Sequence, residues 1–273
     1  MELLNRSKHS IRILVVKIGT TLLTGPKGFD GTVLENLVKE MAALKREQNL
    51  HILVVSSGAV GCGMAVLNMK TRPRSLPLKQ AVAAVGQARL MHYYEVLFDT
   101  YGDGLQTAQV LLTAADLDNR VTYLNIRNTI HTLFSMGRVV PIVNENDSVG
   151  TEELRFGDND TLAARVAAKI DADLLILLSD IDGLYDKNPR HHTDARLIPF
   201  VEKVTPEILA LADGTNTQTS VGGMKTKLEA ARIAGAAGLP MVIADGRRAN
   251  VLHNILTQQG PMTLFGSSKT ALS

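Results

Sequence analysis

The chain has 273 residues, 45% hydrophobic and 21% charged, enough apolar material to bury a core of ordinary globular type. Its 29 basic and 27 acidic residues leave a net charge of +2, and Trp is absent, so neither a basic footprint for nucleic acid or membrane nor base-stacking platforms are on offer. Cys62 is the only cysteine, which excludes an intrachain disulfide and a cysteine zinc site and suits a reducing, cytoplasmic setting.

Met1 to Ser10 is polar and charged and holds no apolar signal core, and no later run approaches the ~20 apolar residues of a membrane span. Ile11 to Val16 is a continuous β-branched and Leu run, the mark of a strand buried on both faces, expected to end at Lys17-Ile18-Gly19-Thr20-Thr21. Thr32 and Glu35 make a capping box for a helix whose Val33, Leu34, Leu37, Val38, Met41 and Leu44 keep helical spacing. A second buried strand, Ile52 to Val55, ends at Ser56-Ser57-Gly58, and a helix is expected over Gly58 to Leu67. After a loop with Pro73 and Pro77, Leu78 to Tyr101 reads as a long helix, Leu105 to Leu112 as a strand and Ala114 to Met136 as helical. Val139 to Val143 is strand-like, though Pro141 argues for a short one, and it runs into Asn144-Glu145-Asn146-Asp147-Ser148. Thr151 to Phe156 suggests a hairpin arm.

The densest polar stretch follows. Gly157-Asp158-Asn159-Asp160 opens an Ala-rich amphipathic run to Ile170, and the apolar strand Leu174 to Leu178 leads into Ser179-Asp180. Consecutive Asp and Asn side chains exceed what a helix cap needs and point to a site. His191-His192 reads as a solvated loop, Pro206 to Ala212 as a short helix, Gly214 to Gly223 as a Thr/Gly/Ser-rich loop and Met224 to Ala237 as a helix. The last strong strand is Met241 to Ala244, ending at Asp245-Gly246.

Strand and helix alternate without repeat or linker, which implies an α/β fold: a single domain over residues 1–273 with a mostly parallel open sheet sandwiched between helices. Five apolar strands end in polar or Gly-rich turns, and such sheets bind ligands at the carboxyl ends of their strands. Gly61-Cys62-Gly63 lacks the third glycine of a dinucleotide fingerprint, no GxxxxGK[ST] occurs, and no His pair is spaced for zinc. A phosphate site without a P-loop remains: Gly222-Gly223-Met224-Lys225-Thr226-Lys227 opens a helix, where backbone N–H groups and the dipole favour an anion. Lys17, wedged after a buried strand, is the second candidate cation.

Val16-Lys17-Ile18-Gly19-Thr20, Val55-Ser56-Ser57-Gly58-Ala59, Ala84-Val85-Gly86-Gln87, Val143 to Val149, Gly157 to Asp160 and Gly222 to Lys227 together resemble the amino acid kinase family. Within it they resemble the branch acting on glutamate rather than on carbamate, acetylglutamate, uridylate or aspartate. The likeness runs from about Ile11 to Phe265; Ser220-Val221 stands where many relatives have Gly-Thr, and no C-terminal PUA domain is expected.

The resemblance implies MgATP-dependent phosphorylation of the side-chain carboxylate of L-glutamate. Lys17 and Lys227 would stabilise the transferring phosphoryl group and Asp160 would orient them. Ser57, Gly58, Asp147, Asp158 and Asn159 would hold glutamate, with Asp147 meeting its ammonium. Gly19, Ser179, Asp180 and the run Val221, Gly222, Gly223, Met224, Lys225, Thr226 would hold ATP with the two lysines. The N-terminal part would mainly bind the amino acid and the C-terminal part ATP, with Mg²⁺ arriving on the nucleotide. Feedback inhibition by proline, hand-off to glutamyl phosphate reductase and a homo-oligomer are further family expectations; nucleic acid and membrane are not expected partners. Two other classes stay open: a non-catalytic amino-acid sensor of the same fold, which loss of Lys17 or Lys227 would favour, and a Rossmann-type dehydrogenase, which a complete glycine fingerprint would favour.

Overall fold

Apolar runs without polar alternation become the middle of one sheet. The structure, a computed structural model, describes residues 11–25, 28–150, 159–213 and 223–266. In chain order it contains β1 (Ile13–Ile18), the short hairpin β2 (Thr24–Gly25) and β3 (Gly28–Phe29), α1 (Thr32–Gln48), β4 (His51–Ser56), α2 (Ala59–Val66) and α3 (Leu76–Tyr101). Then come β5 (Gln106–Leu112), α4 (Ala114–Asp118), α5 (Arg120–Ser135), β6 (Val139–Glu145), α6 (Asn159–Lys169), β7 (Leu174–Ser179) and β8 (Phe200–Val201). The chain closes with α7 (Pro206–Asp213), α8 (Met224–Ala236), β9 (Met241–Asp245), α9 (Val251–Leu256) and β10 (Thr263–Phe265).

Among the described residues, eight strands form one sheet in the order β5-β6-β4-β1-β7-β9-β10-β8. The five strands read as ending in polar turns are its contiguous centre, β6-β4-β1-β7-β9, and all four pairings among them are parallel. Their polar turns therefore line one edge. β1 sits between the β4 and β7 sides, so the strand order reverses there, and α/β sheets bind ligands at such a reversal. β10 runs antiparallel to its neighbour β9.

Alternation along β1 decides which helices each side chain meets. Leu14, Val16 and Ile18 pack on one face with α1, α3 and α9, while Val15 packs on the other with α5, α6 and α8. Lys17 has the parity of Val15, so it projects toward the α6 and α8 layer. Leu14, Val15, Val16 and Ile18 are fully buried, as are Leu174 to Leu178, and each such side chain is worth roughly 1.5–3 kcal/mol. Buried Ala163, Ala164 and Ala167 of α6 and Ala230, Ala231 and Ala234 of α8 let the two helices lie close together.

Four local expectations change. β1 runs two residues further than the apolar pattern, because Lys17 and Ile18 stay in register with Val55 and Ser56 on one side and Leu177 and Leu178 on the other. The capping box does not form: Glu35 turns to Lys39 and to the Tyr101 hydroxyl, and Asp30 accepts instead from the Thr32 N–H at 2.9 Å. The stretch 114–136 breaks at Asn119, whose extended backbone restarts the helix and whose side chain accepts from the N–H groups of Val121 and Thr122. Pro141 is tolerated in an interior strand because the ladder to β4 begins one residue later, at Ile142. The expected hairpin arm over Thr151 to Phe156, and the loop from Gly214 as far as Gly222, lie outside the described residues.

Candidate active site

Three side chains from three elements meet above the centre of the sheet. Asp160, in the first turn of α6, is fully buried; its Oδ1 pairs with Lys17 Nζ and its Oδ2 with Lys227 Nζ at 3.1 Å. Lys17 and Lys227 are themselves only 3% and 4% exposed, so these charges have exchanged water for each other. Thr226 Oγ donates to Asp160 Oδ2 at 2.9 Å or to Gly223 O at 2.8 Å, tying the first turn of α8 to the same carboxylate. Burial pushes the Asp160 carboxyl up, but the charges of Lys17 and Lys227 and their hydrogen bonds outweigh it and hold the group well below the usual carboxylate range. The result is two ammonium groups fixed by one ionised carboxylate. The three groups sum to +1, an arrangement suited to an anion.

A second cluster lies over the ends of β4 and β6. Asn159 Nδ2 donates to Ser56 O at 2.9 Å, Ser57 Oγ at 3.0 Å and Asn144 Oδ1 at 2.9 Å. Asn144 is 2% exposed and also accepts from the Glu145 N–H, while its own Nδ2 donates to Gln87 Oε1. Gly58 starts α2 at φ +105°, in the left-handed region, and a Cβ there would press on Leu23 at 3.0 Å. Asp147 is half-buried in the turn that follows β6, where the N–H groups of Val149 and Gly150 return to Asn146 O. Since Asn159 and Asp160 are adjacent, this cluster and the lysine pair share the start of α6.

A third group joins the turns after β7 and β9. Ser179 is buried, and the carboxylate of Asp180 accepts from Thr21 at 3.4 Å and from Arg190 at 2.9 Å. Arg247, forked onto Asp245 at 2.9 and 2.7 Å, donates to the backbone oxygen of Asp180 at 2.8 Å. Arg248 forks onto Asp182 at 2.5 and 2.9 Å. Sequence reasoning missed these arginines; the adjacent Asp245-Gly246-Arg247-Arg248, after a buried strand, was the available signal. Gly19 N–H donates to Leu178 O at 3.1 Å, and a Cβ on Gly19 would lie 3.9 Å from Lys17 Nζ. A Cβ at Gly223, which precedes α8, would meet nothing within 4 Å among the described residues.

The sequence pattern of the amino acid kinase family matches residues 12–245. The chain belongs to the amino acid kinase family. It is 47% identical to the glutamate 5-kinase of Clostridium acetobutylicum, over 94% of this chain and 95% of that one. It is 50% identical to the glutamate 5-kinase of Moorella thermoacetica, over 93% of this chain and 66% of that one, and 46% identical to that of Methanosarcina barkeri, over 96% and 70%. Among solved structures, the UMP kinase of Ureaplasma parvum aligns with a TM-score of 0.61 at 14% identity, over 95% of this chain and all of that one. The UMP kinase of Bacillus anthracis aligns at 0.60 and 12%, over 94% and 97%. These two likenesses speak to the fold, which is that of the amino acid kinases.

Of the site residues expected from an amino acid kinase sequence, the structure brings Lys17, Asp160, Thr226 and Lys227 together, and separately Ser57 and Asn159. Ser179, Asp180 and Gly19 stand at neighbouring strand ends. Met224 and Lys225 occupy the first turn of α8, with Lys225 exposed. Asp158, Val221 and Gly222 lie outside the described residues.

Proposed function

We propose that this amino acid kinase transfers the γ-phosphoryl group of MgATP to the side-chain carboxylate of L-glutamate, giving glutamyl 5-phosphate and ADP, the first step of proline synthesis. The observation that carries the reading is the buried Lys17–Asp160–Lys227 group at the point where the strand order reverses. The identity of 47% to a glutamate 5-kinase over nearly the whole of both chains supports the substrate.

The chemistry asks little of a protein except placement. A glutamate side chain with a pKa of about 4.3 is already an anion at neutral pH, so it attacks the γ-phosphorus without a general base. Two anions must then be brought together, and charge on the transferring phosphoryl must be met as the bond to the leaving ADP oxygen lengthens. Lys17 reaches that point from the amino-acid side of the sheet and Lys227 from the nucleotide side. Asp160 keeps both ammonium groups aimed before substrate arrives, so little reorganisation remains for the reaction itself; one such electrostatic donor is typically worth roughly 3–4 kcal/mol. The Asn159–Ser57 cluster and Asp147 would hold glutamate by its polar ends. The Ser179–Asp180 turn and the start of α8 would hold ATP, the backbone N–H groups and dipole of that helix end favouring a phosphate. Mg²⁺ would come with the nucleotide, on phosphate and water oxygens. Cytoplasmic location, homo-oligomerisation, feedback by proline and delivery of the acyl phosphate to a reductase belong to the same proposal.

Hydroxylamine trapping of the acyl phosphate tests it directly. Glutamate with MgATP should give hydroxamate, and aspartate and N-acetylglutamate should give little. Equal or greater product from either competitor would reassign the substrate.

A further inference from the structure

The motif Ala84-Val85-Gly86-Gln87 has no role in the reading above, yet the structure gives it one. A Cβ on Gly86 would sit 1.8 Å from Ala59 O, and one on Gly63 1.9 Å from Val82 O, so α2 and α3 touch backbone to backbone. That contact fixes the position of α3 and sets Gln87 beside the end of β6.

Gln87 Oε1 accepts from Asn144 Nδ2 at 2.8 Å. Two backbone groups decide how every amide in this chain is turned. The Glu145 N–H can only donate, so the Asn144 atom it meets at 2.9 Å is the oxygen. Ser56 O can only accept, so the Asn159 atom it meets at 2.9 Å is the nitrogen. With Asn144 Oδ1 committed to Glu145 and Asn159, its Nδ2 must face Gln87 and needs an oxygen there. Gln87 supplies it.

The ends of the chain are informative. Asn159 Oδ1, an acceptor, and Gln87 Nε2, a donor, are buried with no hydrogen-bond partner among the described residues. A buried polar atom left unpaired is costly, and native proteins keep few of them. An ammonium, which only donates, is the complement of the Asn159 oxygen.

We propose that Gln87 is a positioning residue for the amino-acid substrate. It supplies the acceptor for Asn144 Nδ2 and so holds that amide, in the orientation the Glu145 N–H selects, against Asn159. Ser56 O and Asn144 Oδ1 then commit the nitrogen of Asn159 to the protein, and Asn159 Oδ1 is left as an acceptor for the substrate ammonium. The inference rests on glutamate being the substrate, and its test separates the two. Glutamate affinity is measured by calorimetry, independently of turnover, together with the KM values for glutamate and ATP and the melting temperature, for the wild type, Gln87→Met and Gln87→Glu. Met has similar length but no acceptor, whereas Glu keeps an oxygen facing Asn144 Nδ2. Gln87→Met should weaken glutamate binding and raise its KM by ~10-fold, with the KM for ATP changed by less than about 2-fold. Gln87→Glu should recover most of that loss. A Met variant that binds glutamate like the wild type, parallel rises in both KM values, or a Glu variant no better than Met would each overturn the inference while leaving the kinase reading intact. A wild type that binds no glutamate would overturn both.

Discussion

Asp160→Asn removes one charge from the middle of the molecule and keeps the side chain's shape. Asp160 has no exposure, and its two partners are 3% and 4% exposed, so the lysines cannot turn to water without disturbing α6, α8 or β1. An amide oxygen accepts a hydrogen bond but does not offset two neighbouring ammonium charges. Breaking a buried pair by removing one partner costs ~3–5 kcal/mol, which for a chain of this size lowers the melting temperature by about 10 °C. The double variant Asp160→Asn/Lys227→Met, relieved of one ammonium, should melt higher than Asp160→Asn alone while remaining inactive. The acid side gives an independent check. The folded-state carboxyl lies below its ordinary value, so its stabilisation is present above about pH 4 and is lost as pH falls through the lower folded value. Wild-type stability should therefore fall off below about pH 4 more steeply than that of Asp160→Asn. Thermal denaturation followed by circular dichroism, repeated from pH 7 down to pH 3, reads all of this. A single variant melting within about 2 °C of the wild type, with the same acid profile, would refute the argument that this carboxylate organises the site.

Three further outcomes are expected. Lys17→Ala and Lys227→Ala should each lower kcat by ~10²-fold or more with smaller effects on KM, and near-wild-type turnover in the hydroxamate assay would remove that lysine from the mechanism. Asp147→Asn should raise the KM for glutamate by at least ~30-fold and leave ATP nearly unaffected, because a charge pair to a bound ammonium is typically worth ~2–5 kcal/mol. Glutarate, which lacks the ammonium, provides the control: an unchanged glutamate-to-glutarate ratio of kcat/KM would place the ammonium elsewhere. Arg247→Ala frees the Asp180 backbone oxygen from its guanidinium and should raise the KM for ATP several-fold with the KM for glutamate unchanged; equal shifts in both would show a general loss of structure instead.

The central sheet was legible because its strands are buried on both faces and so announce themselves as unbroken apolar runs. Lys17 was legible as an anomaly, a charge following such a run, although its place inside β1 depends on pairing with β4 and β7 that no local pattern contains. Glu35 misled because its spacing from Thr32 fits a capping box, while Lys39 and Tyr101, one turn and one helix away, compete for the same carboxylate. β8 and β10, of two and three residues, are too short to carry a period and exist only by pairing with each other and with β9. The amide chain from Gln87 to Asn159 was also beyond a linear reading, since its members come from α3, β6 and α6. The arginines after β9 were visible as residues but not as a clamp on a turn that lies far away in sequence.

The position of β1 at the reversal of strand order also bears on how the protein acquires its activity. Lys17 and Asp160 lie on opposite sides of the chain's midpoint, and Lys227 follows Asp160 by 67 residues. No contiguous half of the 273 residues holds the complete charge group, so α8, synthesised well after α6, must dock before the two ammonium groups share their carboxylate. Closing such long loops is slow, and contacts of this range form late in folding. Refolding monitored by return of far-ultraviolet dichroism should consequently run ahead of recovered catalysis, and a chain cut before α8 could build most of its sheet without gaining any turnover.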